Sequence, residues 1–305
     1  FADYWDKARV HVDRIVYQPI QDSTVRLANL KSGGLDLIER MLATDIGEVK
    51  KEAKLTLATG TELGYQGLTI NVNNGEKANN PLAKNPKARQ AFELALDRDA
   101  INQVVFNGVH RTNNQWVSPS NPYYLAKFPA PRRDLARARA LIKESGVATP
   151  IVLDFMVPNN PESRAVAEVM QSMAGEAGFE LKIRVTEFAT SLNEGEKGNY
   201  HLYFLAWSGR TDPDGNIYSF ASCGGPLNYG RFCDPKVDEL LNRARTATTQ
   251  AARKAAYEEA AAKILPAGGV LYLYHRTLLF ARSARLDGFR VMPDGLIRVT
   301  NLRLK

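Results

Sequence analysis

The runs IVLDFMV (151–157), FELKIRV (179–185) and HLYFLAW (201–207) decide the fold, because each reads as a strand and the intervals between them read as helices. The first interval opens at Asn160-Pro161, a capping side chain followed by a residue whose fixed φ suits the first helical turn, and it stops at Gly178. A short helix near Ser191 fills the second interval. Strand, helix, strand, helix, strand is a βαβαβ unit with parallel strands. In open sheets of this kind, ligands sit outside the carboxyl ends of the strands. The loop at that end of the third strand is SGRTDPDGN (208–216), directly after Trp207.

The same α/β wiring extends in both directions. Residues 1–72 alternate short strands and helices: VDRIVYQ (12–18), a helix over 23–32, LDLIE (35–39), a second helix, LTLAT (55–59) and YQGLTINV (65–72). The stretch Asn73–Pro86 is dense in Asn, Pro and Gly and has no hydrophobic period, which marks a lobe boundary. Beyond it, Ala88, Ala91, Phe92, Ala95, Ile101, Val104 and Val105 recur at helical spacing, with Asn85 as cap, a break near Asp97 and a stop at Gly108. Asp134 and Gly146 bracket another helix. Helices over 235–246 and 250–265 follow, then one apolar strand, VLYLYHRTLLFA (270–281), and a polar strand-like tail.

With 305 residues, 44% hydrophobic and 24% charged, the chain is neither a disordered tail, a collagenous repeat nor a disulfide-dense miniprotein, and its length suits two packed lobes. The net charge of +7 raises nucleic-acid binding, yet the basic residues come as isolated pairs such as Lys50-Lys51 and Arg132-Arg133 among acids, so no nucleic-acid partner is expected. No apolar run reaches the roughly 18 residues of a bilayer span. The sequence starts at Phe1 with no signal-peptide pattern, and a processed or truncated chain is the expectation. Cys223 and Cys233 enclose a turn-rich interval containing Gly224, Gly225, Pro226 and Gly230. Such an interval can bring the α-carbons within the roughly 4.4–6.8 Å a disulfide needs, the alternative being two reduced thiols. A bridge implies an oxidising compartment.

No catalytic constellation assembles. His11, His110, His201 and His275 stand apart, and no nucleophile elbow, phosphate loop, dinucleotide fingerprint or zinc spacing is present, so neither catalytic residues, metal nor cofactor are expected. Asp212, Asp214 and Asn216 have some likeness to a calcium loop, but Pro213 interrupts it and Cys223 stands where the closing Glu belongs. What stands out instead are aromatic residues set in polar loops: Tyr65, Trp116, Trp207 and Tyr229. Flat rings with Asn, Ser and Arg beside them suit a ligand groove.

Taken in order, DYW (3–5), VDRIVYQPIQDSTVRLANLKSGGLDLIE (12–39), GYQGLTINV (64–72), ARQAFELALDRDAI (88–101), ARALIKESG (138–146), LAWSGRTDPDGNIYSF (205–220), LNYGRFCDP (227–235) and VLYLYHR (270–276) resemble the peptide-binding family of bacterial extracytoplasmic solute receptors that serve ABC importers. The resemblance covers the whole chain. It implies an α/β, periplasmic-binding-protein-like fold of the three-domain class II type, truncated at its N-terminus, with a domain I remnant at 1–72, domain III at 73–278 and a return to domain I at 279–305. It further implies a periplasmic receptor that is not an enzyme. Such a receptor captures a small peptide or peptide-like solute in an interdomain cleft and delivers it to a membrane permease, and the incomplete domain I is expected to leave a dimerising surface. In the family, an Asp a few residues after the loop Trp anchors the ligand's amino terminus. Here Arg210 follows Trp207-Ser208-Gly209, with Asp212 as the nearest acid, and Arg164 is the candidate for the carboxylate-gripping Arg of peptide binders. These departures leave open a non-peptide anionic or sugar-like solute. A small hydrolase using Asp212 and Asp214 is the reading from another class.

Overall fold

In the computed structural model, which describes residues 2–305, the chain divides into two compact units: residues up to Glu62 together with Arg276–Lys305, and Leu63–His275. The first unit opens with α1 (Ser23–Ser32), β1 (Leu37–Ile38), α2 (Ile46–Lys51) and β2 (Leu55–Thr61). α1 starts where the Asp22 carboxylate accepts from the Val25 N–H at 2.9 Å, and it buries Leu27 and Leu30, which share one face. The strand expected over VDRIVYQ does not form. Residues 12–18 pair with no strand among the described residues, and Ile15, Val16 and Tyr17 are exposed. β-branched composition favours extended backbone, but a strand exists only where a ladder partner takes its N–H and C=O groups.

The second unit carries β3 (Tyr65–Ile70), α3 (Pro81–Lys84), α4 (Pro86–Ala95), α5 (Arg98–Phe106), β4 (Arg111–Thr112), α6 (Leu135–Ser145), β5 (Ile151–Pro158), α7 (Pro161–Ala177), β6 (Phe179–Thr186), α8 (Phe188–Glu196), β7 (Leu202–Trp207), α9 (Asp214–Ala221), α10 (Pro235–Thr246), α11 (Gln250–Ala267) and β8 (Val270–His275). Its six strands lie in the order β4-β8-β3-β7-β5-β6. β5 runs parallel to both β6 and β7, which is the βαβαβ unit, while β3 is antiparallel to β7 and β8. Helix starts follow the side chains available: Asn85, Asp97, Asp134, Asn160, Asp234 and Thr249 each accept a bond from a first-turn N–H. α5 ends at Phe106, with Asn107 in the left-handed conformation as its C-cap, one residue before the expected Gly108.

Both faces of the sheet are covered. On one, Leu68, Ile70, Leu153, Phe155, Leu202 and Phe204 pack with the buried faces of α4, α6 and α7; on the other, Tyr65 and Tyr272 pack with Ile217, Leu240, Leu241, Tyr257 and Ile264 from α9, α10 and α11. Each such buried large side chain stabilises the unit by about 1.5–3 kcal/mol.

The chain then returns to the first unit through β9 (Thr277–Ser283), β10 (Leu286–Asp287) and β11 (Arg303–Leu304). β9 is the centre of a three-stranded sheet, β1-β9-β2, and β10 pairs with β11. The apolar run 270–281 is therefore two strands in two sheets, interrupted at Arg276, and not one. The Asn-rich stretch expected to bound a lobe lies inside the second unit. Its asparagines serve as internal fasteners: Asn74 Nδ2 donates to the Tyr229 carbonyl at 2.9 Å, and the buried Asn80 Nδ2 to the Asn71 carbonyl at 3.0 Å. Buried amides of this kind fix a loop that composition alone reads as loose.

Candidate functional site

The carboxyl end of β7 holds the most organised polar cluster at the carboxyl ends of the parallel strands. Trp207, the last residue of the strand, is half-buried, with its ring edge-on to Phe220 at 5.0 Å. The exposed Arg210 lays its guanidinium over the indole, 4.5 Å from the ring centre, within the range of a cation–π contact. Asn216 holds both. Its Oδ1 accepts from Trp207 Nε1 at 3.0 Å and from the Arg210 N–H at 2.7 Å, while its Nδ2 donates to the Arg210 carbonyl at 2.9 Å. Asn216 is fully buried, so these bonds are not shared with bulk water.

Two glycines make the turn possible. Gly209 has φ +80°, in the left-handed region, and a Cβ there would lie 2.3 Å from the Gly64 nitrogen and the Leu63 carbonyl carbon. A Cβ on Gly64 would in turn meet the Trp207 carbonyl oxygen. The loop before β3 and the loop after β7 thus pass backbone against backbone, which fixes the height of Trp207 above the sheet.

The acids of this loop are already engaged. Asp212 receives two bonds from Arg253, Nη1 to Oδ2 at 3.0 Å and Nη2 to Oδ1 at 2.6 Å. Burial pushes the Asp212 carboxyl up, but the Arg253 bonds and the Asp214 N–H outweigh it, and the group ends below the ordinary carboxylate range. Asp214 faces Arg245 at 3.3 Å, and its Oδ1 makes no hydrogen bond because the guanidinium lies flat over Tyr218 at 3.9 Å. Burial accordingly wins there and raises the Asp214 carboxyl. Each acid has its own arginine from a different helix, Arg253 of α11 for Asp212 and Arg245 of α10 for Asp214.

The other residues singled out from sequence are dispersed. Tyr65 and Trp116 belong to the core: Tyr65 is 3% exposed and stacks edge-on to Tyr272, and Trp116 is 2% exposed beside Tyr257 and Tyr272. Neither ring has a face free for a solute, which corrects the reading of both as groove aromatics. Tyr229 is half-buried against Gly195 and Tyr203, on the sheet face opposite Phe155. Arg164 is exposed in the first turn of α7, after β5. Cys223 and Cys233 form a disulfide with α-carbons 4.5 Å apart, closing the loop that carries Tyr229. No group of three His, Cys, Asp or Glu side chains among the described residues is placed to hold a metal ion, and no helix among them is long and apolar enough to cross a membrane.

Sequence reasoning missed two residues. Asn216 figured in the sequence only through the likeness to a calcium loop. His275, fully buried, joins the two ends of the second unit: its Nδ1 meets the Gly64 carbonyl at 2.5 Å and its Nε2 meets Asn113 Nδ2 at 2.7 Å. The Asn113 amide orientation is set by its other bonds, Oδ1 accepting from the Asn114 N–H and Nδ2 donating to the Val117 carbonyl. Nε2 is therefore an acceptor and the proton sits on Nδ1. Burial, partly offset by the Gly64 and Val117 carbonyls, lowers the imidazole to about 4. Two residues before Gly64 and one after His275, the Glu62 N–H donates to the Arg276 carbonyl at 2.9 Å.

Comparisons with known proteins agree with this architecture. A family model described as bacterial extracellular solute-binding proteins, family 5 Middle, matches residues 1–228. The di/tripeptide-binding protein 1 of Pseudomonas aeruginosa is 28% identical over 305 residues, covering 96% of this chain and 55% of that protein. The glutathione-binding protein of Pectobacterium atrosepticum is 27% identical over 307 residues, covering 97% of this chain and 58% of that one. The crystal structure of a dipeptide-binding protein from Pseudoalteromonas in complex with Met-Leu superposes with a TM-score of 0.88 at 24% identity, over 100% of this chain and 61% of that chain. The chain thus spans less than two thirds of the length of each of these relatives. With a family model matched over 228 of its 305 residues, it belongs to the bacterial extracellular solute-binding proteins of family 5.

Proposed function

We propose that this protein is the substrate-binding receptor of an ABC importer, capturing a small peptide or peptide-like solute and handing it to a membrane permease without chemical change. The observation that carries the reading is the Trp207–Arg210 step, locked from below by the fully buried Asn216 at the carboxyl end of β7. A flat aromatic face with a fixed polar group beside it is what orients a small ligand. Tyr229 and Arg164 are the further contacts we assign to the solute, and the unit Leu63–His275 is the domain III of the family, with the other unit its domain I portion. The assignment of relatives to di- and tripeptides and to glutathione favours a solute of that size. The Cys223–Cys233 bridge favours an oxidising compartment, the periplasm.

Native mass spectrometry of the full-length receptor purified from its own compartment tests this. A small solute that stays bound under gentle ionisation and is released unaltered on denaturation is the expected result. A ligand-free protein that turns over peptide substrates would refute it.

A further inference from the structure

We infer that the solute end received at the Trp207–Arg210 step is an anion of the carboxylate class and not an ammonium. This rests on the receptor reading above and specifies its substrate. Arg210 Nη1 is spent on the Gly209 carbonyl at 2.7 Å and, more distantly, on Ser208 Oγ at 3.4 Å. Among the described residues its Nε and Nη2 meet no hydrogen-bond partner and no carboxylate pairs with it. The two acids of the same loop are each held by an arginine of their own, Asp212 by Arg253 and Asp214 by Arg245. On the adjacent parallel strand, β5, the next loop leads to the exposed Arg164, which shares the first turn of α7 with Glu162, so that terminus carries one charge of each sign. One strand further, Glu187 is taken up in capping α8, accepting from the Ala189 and Thr190 N–H groups at 3.0 and 2.8 Å. The uncompensated charge at the β7 terminus is therefore the positive one of Arg210.

The arginine is also built in, and not merely present. Its backbone N–H and C=O are both bonded to the buried Asn216, its stem lies against Gly215, where a Cβ would come within 2.8 Å of Cγ, and its guanidinium is held flat on Trp207. A solvated surface arginine needs none of these supports. Held in this way, the guanidinium keeps Nε and Nη2 as a planar two-donor edge, the geometry that takes both oxygens of one carboxylate.

The test uses two probes whose single charged group differs in sign, alanyl-alanine amide with an ammonium and N-succinyl-alanine amide with a carboxylate, titrated calorimetrically into the full-length receptor and its Arg210→Asp variant. The wild type should bind the succinyl probe about 10- to 100-fold tighter. Arg210→Asp, which leaves the Asn216 bonds to the backbone in place and is checked for folding by circular dichroism, should reverse the order. Tighter binding of alanyl-alanine amide by the wild type, or an unchanged order in the variant, overturns the anionic assignment and leaves the receptor reading standing. Binding of neither probe by either protein overturns both.

Discussion

Acidification should loosen the second unit through His275, by an amount the structure fixes. The folded imidazole titrates at about 4, against about 6.5 in an unfolded chain. Between those values the unfolded state binds a proton that the folded state refuses, so stability rises with pH across the interval. The contribution is fully present above the unfolded value and is lost as pH falls from about 6.5 to 4. A difference of about 2.5 units corresponds to about 3 kcal/mol in total, of which about 2.5 kcal/mol goes between pH 7.5 and 4.5. The cause is geometric. A second proton would sit on Nε2, which faces the Asn113 amide donor at 2.7 Å, and Asn113 cannot rotate without giving up its bonds to Asn114 and Val117. The assay is urea unfolding at both pH values for the wild type and for His275→Gln, which does not titrate. Other groups with shifted values, Asp154 and His201 among them, change equally in both proteins and cancel in the difference. The wild type should lose about 2.5 kcal/mol more than the variant. Equal losses would show that His275 is not the neutral, doubly bonded ring described above.

Three further outcomes are expected. Asn216→Ala should cost about 2–3 kcal/mol by leaving Trp207 Nε1 and both backbone groups of Arg210 without their partner, and it should weaken solute binding as well, read by denaturation and calorimetry. Gly209→Ala should destabilise by at least about 2 kcal/mol, since φ is +80° and the new methyl meets backbone atoms at 2.3 Å; an unchanged melting temperature would refute the close crossing with Gly64. Replacing both Cys223 and Cys233 with Ala should cost about 3 kcal/mol through the freed loop, and reducing agent should then lower the melting temperature of the wild type but not of the double variant.

What could be read from the sequence was whatever is written locally. Asn160-Pro161 and Gly178 bound α7 because a cap and a stop are properties of single residues and their neighbours, and the three runs read as strands became the parallel strands β5, β6 and β7. Long-range facts were not legible. Residues 12–18 have strand composition, yet nothing local states whether a partner strand arrives. The run 270–281 is uniformly apolar, and periodicity does not say that its two halves join different sheets. Tyr65 and Trp116 look like groove residues because their flanks are polar, but both rings point to the core while the flanking amides bond backbone: Gln115 Nε2, for example, donates to the Leu125 carbonyl at 2.8 Å. Of the site itself, Trp207 and Arg210 were visible as an aromatic and a charge on one loop. The fastening role of Asn216 needed the coordinates, because an Asn in a turn has many possible partners.

The pairing of Gly64 with His275, and of Glu62 with Arg276, has an evolutionary consequence. A segment of 213 residues (275 − 63 + 1) leaves the first unit and re-enters it at neighbouring points. Topologically it is a cartridge: excising it asks the first unit to close only a short gap, whose entropic cost is small. Recombination at these two seams would transplant β7, its Trp207–Arg210 step and the Asn216 beneath them as one piece. New solute preferences could then be acquired by exchange of the whole lobe, with the first unit's own sheet left intact.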